Sequence, residues 1–297
     1  MKHDYHVVDV FTENPLEGNA LAVFPDATGL DALVMQRIAR ELNLSETSFI
    51  FPNESRDGST RVRIFTPAYE MEFAGHPTIG TAYVMRSLGI VPRDARRFSL
   101  AENIGIVEVR VDEGTDPLLW LTTPPIHDLG AFDRAKCAAA VSLTQSDLLP
   151  DVPCELLSAG NPNIYVALRD KNAVDRASID SAAFYDLIRN RNDRACVFVF
   201  TPTPEGAYSR MFGPEHNIVE DPATGSATGP LAAFMMRHNL APNTDGTRFI
   251  SEQGTKMGRR SFLHVLIHGD DGTRGIEIGG HVTPVAIASM TLEAVPA

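Results

Sequence analysis

The chain has 297 residues, 43% of them hydrophobic and 22% charged, with a formal net charge of −12. Such a length accommodates one large domain or two of about 150 residues, and the composition excludes a disordered or low-complexity chain. The acidic balance, with no block of five or more basic residues, leaves no electrostatic footprint for nucleic acid, so an anionic ligand would have to be held by locally placed donors.

The opening "MKHDYHVVDV" is too polar for a signal segment, and no apolar run approaches the roughly 18 residues needed to cross a bilayer. A cytoplasmic protein with no membrane partner is expected. The first strands are predicted at "YHVVDVF" and "NALAVF", followed by a helix from Asp31 to Leu42, where Val34, Ile38 and Leu42 recur at helical spacing. Strands at "TSFIF" and "TRVRIF" lead to a helix after His76 in "FAGHPTIGTAYVM". "IVEVRV", Ile106 to Val111, alternates valine with charged residues as a half-buried antiparallel strand does, and "LLWLTT" continues the meander. The proline-rich stretch from about Pro124 to Pro153, with an alanine-rich helix at "RAKCAAAV", is the predicted connection between halves.

Beyond it the order of blocks repeats. "GNALAVF" at Gly18 has a counterpart in "GNPNIYVAL" at Gly160, "RIFTP" at Arg63 in "RMFGP" at Arg210, and the helix led by Gly75 in "PATGSATGPLAAFMM", led by Gly225. The offsets are 142, 147 and 150, which points to an internal duplication. The expected fold is α+β, with two pseudo-symmetric halves, each a curved, mainly antiparallel sheet around one helix that is apolar on most faces. The expected halves are residues 1–130 and 131–297, with a final strand near 284–297 free to return to the first. Both glycine-led helix N-termini would present backbone N–H groups and positive dipole ends, and together they are expected to hold a small carboxylate in a groove between the halves.

Three cysteines, Cys137, Cys154 and Cys196, show no CxxC spacing and are expected to be buried thiols. His264 and His268 share a predicted strand, where residues four apart lie about 13 Å from each other, too far to share one ion. Neither a metal nor any other cofactor is expected. Three residues are candidates for acid/base chemistry. Glu46, in "NLSETSFIF", stands where a helix gives way to a strand; it is a surface loop glutamate, or a carboxylate whose apolar neighbours favour the neutral form and so suit it to proton transfer. His76 is a helix-start residue or a site residue, and Asp221, before Pro222, is a turn acid or a site residue.

"PLEGNALAVF", "RELNLSETSFI", "RIFTPAYEMEFAGHPTIGTA", "SRMFGPEHNIVEDPATGSATGPLA" and "MGRRS" resemble the PhzF family of phenazine-biosynthesis isomerases, from about residue 3 to the last strand. The resemblance implies a fold like that of diaminopimelate epimerase. It implies that Glu46 is the catalytic glutamate, which takes a proton from one carbon of the substrate and returns it elsewhere. His76 and Asp221 match the acid/base pair that contacts substrate, Gly225 and Ser226 the turn that holds its carboxylate, and Ser45 and Gly75 the lining of the same cavity. Neither glycine turn carries a cysteine, so the two-thiol chemistry of diaminopimelate epimerase is unavailable. Tyr69 and Glu72 are bulkier or more charged than the phenazine enzymes lead one to expect.

The expected activity is therefore a cofactor-free proton shift on a small cyclic or unsaturated amino- or hydroxy-carboxylic acid, by analogy with the isomerisation of trans-2,3-dihydro-3-hydroxyanthranilate. The alternatives are an epimerase or racemase of an amino-acid derivative, and a carboxylate-binding protein without turnover. The expected partner is the small carboxylate substrate alone, and a homodimer is the assembly considered.

Overall fold

The computed structural model describes residues 2–191, 194–269 and 275–292; residues 293–297, the end of the expected final strand, lie outside them. The chain forms two compact units, residues 1–122 with 279–297, and residues 123–278. In chain order the elements are β1 (Lys2–Val10), β2 (Asn19–Phe24), α1 (Ala32–Leu42), β3 (Glu46–Arg56), β4 (Ser59–Phe65), β5 (Glu70–Met71), α2 (Gly75–Leu88), β6 (Arg97–Glu102), β7 (Gly105–Val111) and β8 (Leu119–Thr122). They continue with β9 (His127–Phe132), α3 (Arg134–Ala140), β10 (Cys154–Ser158), β11 (Pro162–Ala167), α4 (Lys171–Arg176), α5 (Ser181–Ile188), β12 (Cys196–Thr203), β13 (Gly206–Gly213) and β14 (Ile218–Asp221). The last are α6 (Gly225–Arg237), β15 (Arg248–Gln253), β16 (Ser261–His268), β17 (Gly275–Gly280) and β18 (Val282–Thr291).

In the first unit β18 and β1 pair antiparallel, as do β1 and β2; β2 and β3 run parallel, β3 and β4 antiparallel. Strand β4 then takes β5 antiparallel and β6 parallel, and β6 and β7, then β7 and β8, pair antiparallel. The second unit repeats this grammar. The pairs β9–β10 and β10–β11 are antiparallel, β11–β12 parallel, β12–β13 antiparallel; β13 takes β14 antiparallel and β15 parallel, and β15–β16 is antiparallel. Helix α2 follows β5 as α6 follows β14, so the repeat read in short sequence blocks is a repeat of hydrogen-bond topology.

Helix α2 packs on β1, β2, β3, β8 and β18, strands from both ends of the pairing order, so the sheet of the first unit curls around it. Ten of its fourteen residues are buried, which is why it lacks a polar face. Gly80 permits the close approach: a Cβ there would lie 2.6 Å from Leu21 Cδ2 and 2.9 Å from Val10 Cγ2. Helix α6 packs likewise on β10, β11 and β16.

The stretch read as a connection is built into the second unit. Its "HDLGAF" is β9, an exposed edge strand paired with β10, and α3 packs on α5 within an apolar cluster that includes Cys137, Val141, Phe184 and Ile188. An edge strand with so little buried surface carries no alternation for sequence reading to detect. No helix among the described residues is long and apolar enough to cross a membrane.

Candidate active site

Helix α1 ends on Asn43, whose left-handed backbone (φ 50°) turns the chain sharply, and Glu46 is the first residue of β3. The parallel register of β3 on β2 sets Glu46 opposite Leu21. His76 is the second residue of α2, held inside by the apolar body of that helix and 5% exposed. These two placements bring Glu46 Oε2 and His76 Nε2 to 3.1 Å.

On the other side of the imidazole the buried Asn19 amide nitrogen lies 3.3 Å from Nδ1. An amide NH2 can only donate, so Nδ1 accepts and the proton of the neutral ring sits on Nε2, facing Glu46. Burial pushes the His76 pKa down from 6.5 to about 3. At neutral pH the ring is therefore uncharged, and the contact with Glu46 is one between a neutral imidazole and a carboxyl group, not an ion pair. A neutral imidazole and a carboxyl group at this separation are within reach of proton exchange. Ser45 is exposed beside Glu46, and Gly75, the first residue of α2, is buried.

The second unit builds its turn differently. Asp221 ends β14, opposite Met211 on β13, and is 8% exposed. Thr224 donates its hydroxyl to Asp221 Oδ2 at 2.5 Å. The Gln253 side chain braces the turn from β15: its Nε2 donates to the Asp221 carbonyl (2.7 Å) and to Thr224 Oγ1 (2.9 Å), and its Oε1 accepts from the Thr224 amide (3.1 Å). Gly225 is buried and Ser226 half-buried at the start of α6, and Asn161 Nδ2 donates to Ser226 Oγ at 3.4 Å. In both helices the first N–H groups have no intrahelical acceptor. In α6, Pro230 also has no N–H to give the Ser226 carbonyl.

Two pairs of contacts escaped the sequence reading although their signal was in the repeated blocks. Asn19 and Asn161 follow the paired glycines of "GNALAVF" and "GNPNIYVAL", and they contact His76 and Ser226, themselves 150 residues apart. Arg63 and Arg210, of "RIFTP" and "RMFGP", each grip the short strand that precedes the glycine turn. Arg63 holds Glu70 by two bonds of 2.7 and 2.5 Å, Arg210 holds Glu220 by two of 2.9 and 2.7 Å, and each guanidinium lies over the phenylalanine two residues on. Gln253 has no such signal. Tyr69, 40% exposed, lies in the turn before β5, and Glu72 is exposed just after that strand.

Among the described residues one trio has the proximity of a metal site, Glu13, Asp116 and His281. The two acids are exposed, and each lies beside one ring nitrogen of His281, at 3.5 and 3.4 Å. The three cysteines are buried; burial raises the Cys196 pKa to about 12, which marks an inert thiol.

A family model described as phenazine biosynthesis-like protein matches residues 8–288. The chain belongs to the PhzF family. It is 34% identical over 282 residues to a trans-2,3-dihydro-3-hydroxyanthranilate isomerase of Pseudomonas aeruginosa, covering 94% of this chain and 96% of that one. It is 36% identical to an uncharacterized isomerase of Mesorhizobium japonicum, covering 95% and 97%. Among solved structures, a PhzF-family protein of Bacillus anthracis superposes with a TM-score of 0.87 at 24% identity, over 98% of this chain and all of that one. A protein from Pseudomonas aeruginosa described as a predicted epimerase superposes with a TM-score of 0.82 at 30% identity, over the same shares. A probable proline racemase from Agrobacterium radiobacter shares the fold at 14% identity, with a TM-score of 0.66 over 98% and 93%. This PhzF-family chain is an isomerase with the epimerase-like α+β fold.

Proposed function

We propose that this PhzF-family isomerase moves a proton between two carbons of a small unsaturated carboxylic acid, with trans-2,3-dihydro-3-hydroxyanthranilate as the reference substrate. The observation that carries the reading is the 3.1 Å contact of Glu46 with a His76 whose other nitrogen is fixed by Asn19. The ionised Glu46 takes a proton from carbon; the electron pair of that C–H bond shifts the double bond; and the carboxylic acid so formed returns the proton to the far carbon of the allylic system. His76, neutral and buried with its Nε2 3.1 Å from Glu46 Oε2, stands beside the carboxyl group as a second proton-carrying group. Nothing is oxidised or reduced, and the protein ends in its starting protonation state.

Asp221 is proposed as the second acid/base group, its carboxyl oriented by the Thr224 hydroxyl. Gly75, Gly225 and Ser226 are proposed to bind the substrate carboxylate through helix-terminal N–H groups and the Ser226 hydroxyl. Ser45 is proposed as a neighbouring contact. The protein is proposed to act in the cytoplasm as a homodimer, with the small acid as its only ligand.

The test is to incubate the protein with a set of dihydroanthranilate-like acids in deuterated water and to follow carbon-bound deuterium by NMR. Deuterium at a carbon that gained a hydrogen, with a displaced double bond, supports the proposal. The 30% identity to a predicted epimerase favours one alternative, inversion at a single carbon; deuterium at an inverted centre with no displaced double bond would establish it instead.

A further inference from the structure

Glu102, the last residue of β6, is 4% exposed and takes no part in the chemistry above. Its Oε1 lies 2.7 Å from the hydroxyl of Thr78, which stands in the first turn of α2, two residues after His76. The same hydroxyl lies 2.8 Å from the carbonyl of Ala74, the cap residue of that helix. Thr78 has one hydroxyl proton and two acceptors within reach. If Glu102 were ionised, the proton could serve only one of them. If Glu102 carries a proton, both contacts of the Thr78 hydroxyl become hydrogen bonds: the acid O–H donates to Thr78 Oγ1, and Thr78 donates to Ala74.

The surroundings support the neutral acid. Burial pushes the Glu102 pKa up from 4.5 to about 8, and the Thr78 contact and the Arg61 charge pull it back only in part. Arg61, on β4, is the cation that faces Glu102, and its guanidinium is engaged by the Ala101 carbonyl (3.0 Å) and the Asn103 side chain. Glu70, Glu54 and Arg63 act on Arg61 rather than on Glu102, and His76, the titratable group of α2 nearest in sequence, is neutral. A cavity of about 540 Å3 is lined by Glu102, Arg61, Asn103, Asp57 and Ile104.

We infer that Glu102 is a positioning residue that holds the first turn of α2, and with it Gly75 and His76, in working register by donating its own proton to Thr78. Loss of that proton at alkaline pH loosens the turn, so turnover falls by a route separate from the titration of the reacting groups. The inference rests on the reading of His76 as Glu46's partner, and it is tested by one readout that needs no substrate and one that does.

The first readout is NMR of the intact protein between pH 6 and 10, following the Glu102 carboxyl carbon and the protection of the Thr78 amide against hydrogen exchange. A carboxyl titrating near 8, with Thr78 protection falling across the same range, is expected in the wild type. Glu102→Gln keeps a donor but cannot ionise, so its protection stays level across that range; Glu102→Leu keeps volume without a donor, so its protection is low at every pH. The second readout is turnover. Glu102→Leu loses about ten- to a hundredfold in kcat with little change in KM, the scale of a small misplacement at a catalytic group. Glu102→Gln restores most of it and lacks the wild type's alkaline decline. A carboxyl titrating near 4.5, or equal Thr78 protection in wild type and Glu102→Gln at pH 9, would overturn the inference. If no acid turns over, the NMR arm still decides it; if Glu102→Leu does not fold, Glu102→Gln against wild type does.

Discussion

Cutting the Arg210–Glu220 clamp by Glu220→Gln tests whether the second glycine turn is held by a buried ion pair. The two side chains are only 9% and 10% exposed, and the pair is bidentate. Removing one member of such a pair strands a buried charge, at a typical cost of about 3–5 kcal/mol. Arg210 keeps other acceptors, the carbonyls of Val174, Asp175 and Ala177 at 3.0, 3.2 and 2.7 Å, which places the cost near the lower end, about 3 kcal/mol. The surface pair Arg97–Glu108, 60% and 53% exposed, is the internal control, for which Glu108→Gln should cost less than about 1 kcal/mol. Urea unfolding followed by circular dichroism measures both, with hydrogen exchange of the β13 amides to localise the loss. Since Glu220 adjoins Asp221, the clamp variant should also lose turnover in excess of its stability loss. Equal costs for the two variants would refute the view that burial makes this pair a structural clamp.

Gly80→Ala should destabilise the first unit by about 1–2 kcal/mol in chemical denaturation, because overpacking against Leu21 and Val10 outweighs the better helix propensity of alanine; a stabilised variant would show that the sheet gives way. Ser226→Ala should weaken a carboxylate ligand by about 1–3 kcal/mol in calorimetry, and a bulky residue at Gly75 should weaken the same ligand, so an effect at only one turn would remove the other from the site. His76, depressed from 6.5 to about 3, contributes stability that is whole above pH 6.5 and lost as pH falls toward 3. The stability advantage of wild type over His76→Gln should therefore shrink by about 2 kcal/mol between pH 7 and 4.5, and a constant difference would mean that His76 is not buried neutral.

Local pattern and repetition made part of this molecule legible. The buried helices α2 and α6, apolar on most faces, announced themselves, and the repeated blocks foretold two halves that share one order of strand pairing. The repeat also held more than was drawn from it, since Asn19 with Asn161 and Arg63 with Arg210 occupy matching places and make matching contacts. Strand β9 was hidden because its exposed edge has no alternating pattern, and α4 and α5 are too short, at 6 and 8 residues, for a helical period to stand out. Gln253 and Glu102 were invisible for a different reason: their partners lie 29 and 24 residues away, and tertiary pairing of strands alone brings them together.

If Glu46 carries the substrate proton, Glu46→Gln removes the titratable oxygen while keeping shape, and so tests the proton transfer itself. Single-turnover deuterium incorporation, measured with ligand affinity on the same preparation, should fall by about a hundredfold or more while affinity changes little, since a general acid/base contributes roughly 10²–10⁴-fold. A variant that retained more than about a tenth of wild-type incorporation would contradict the account, because an acid/base group of that rank could not be dispensable.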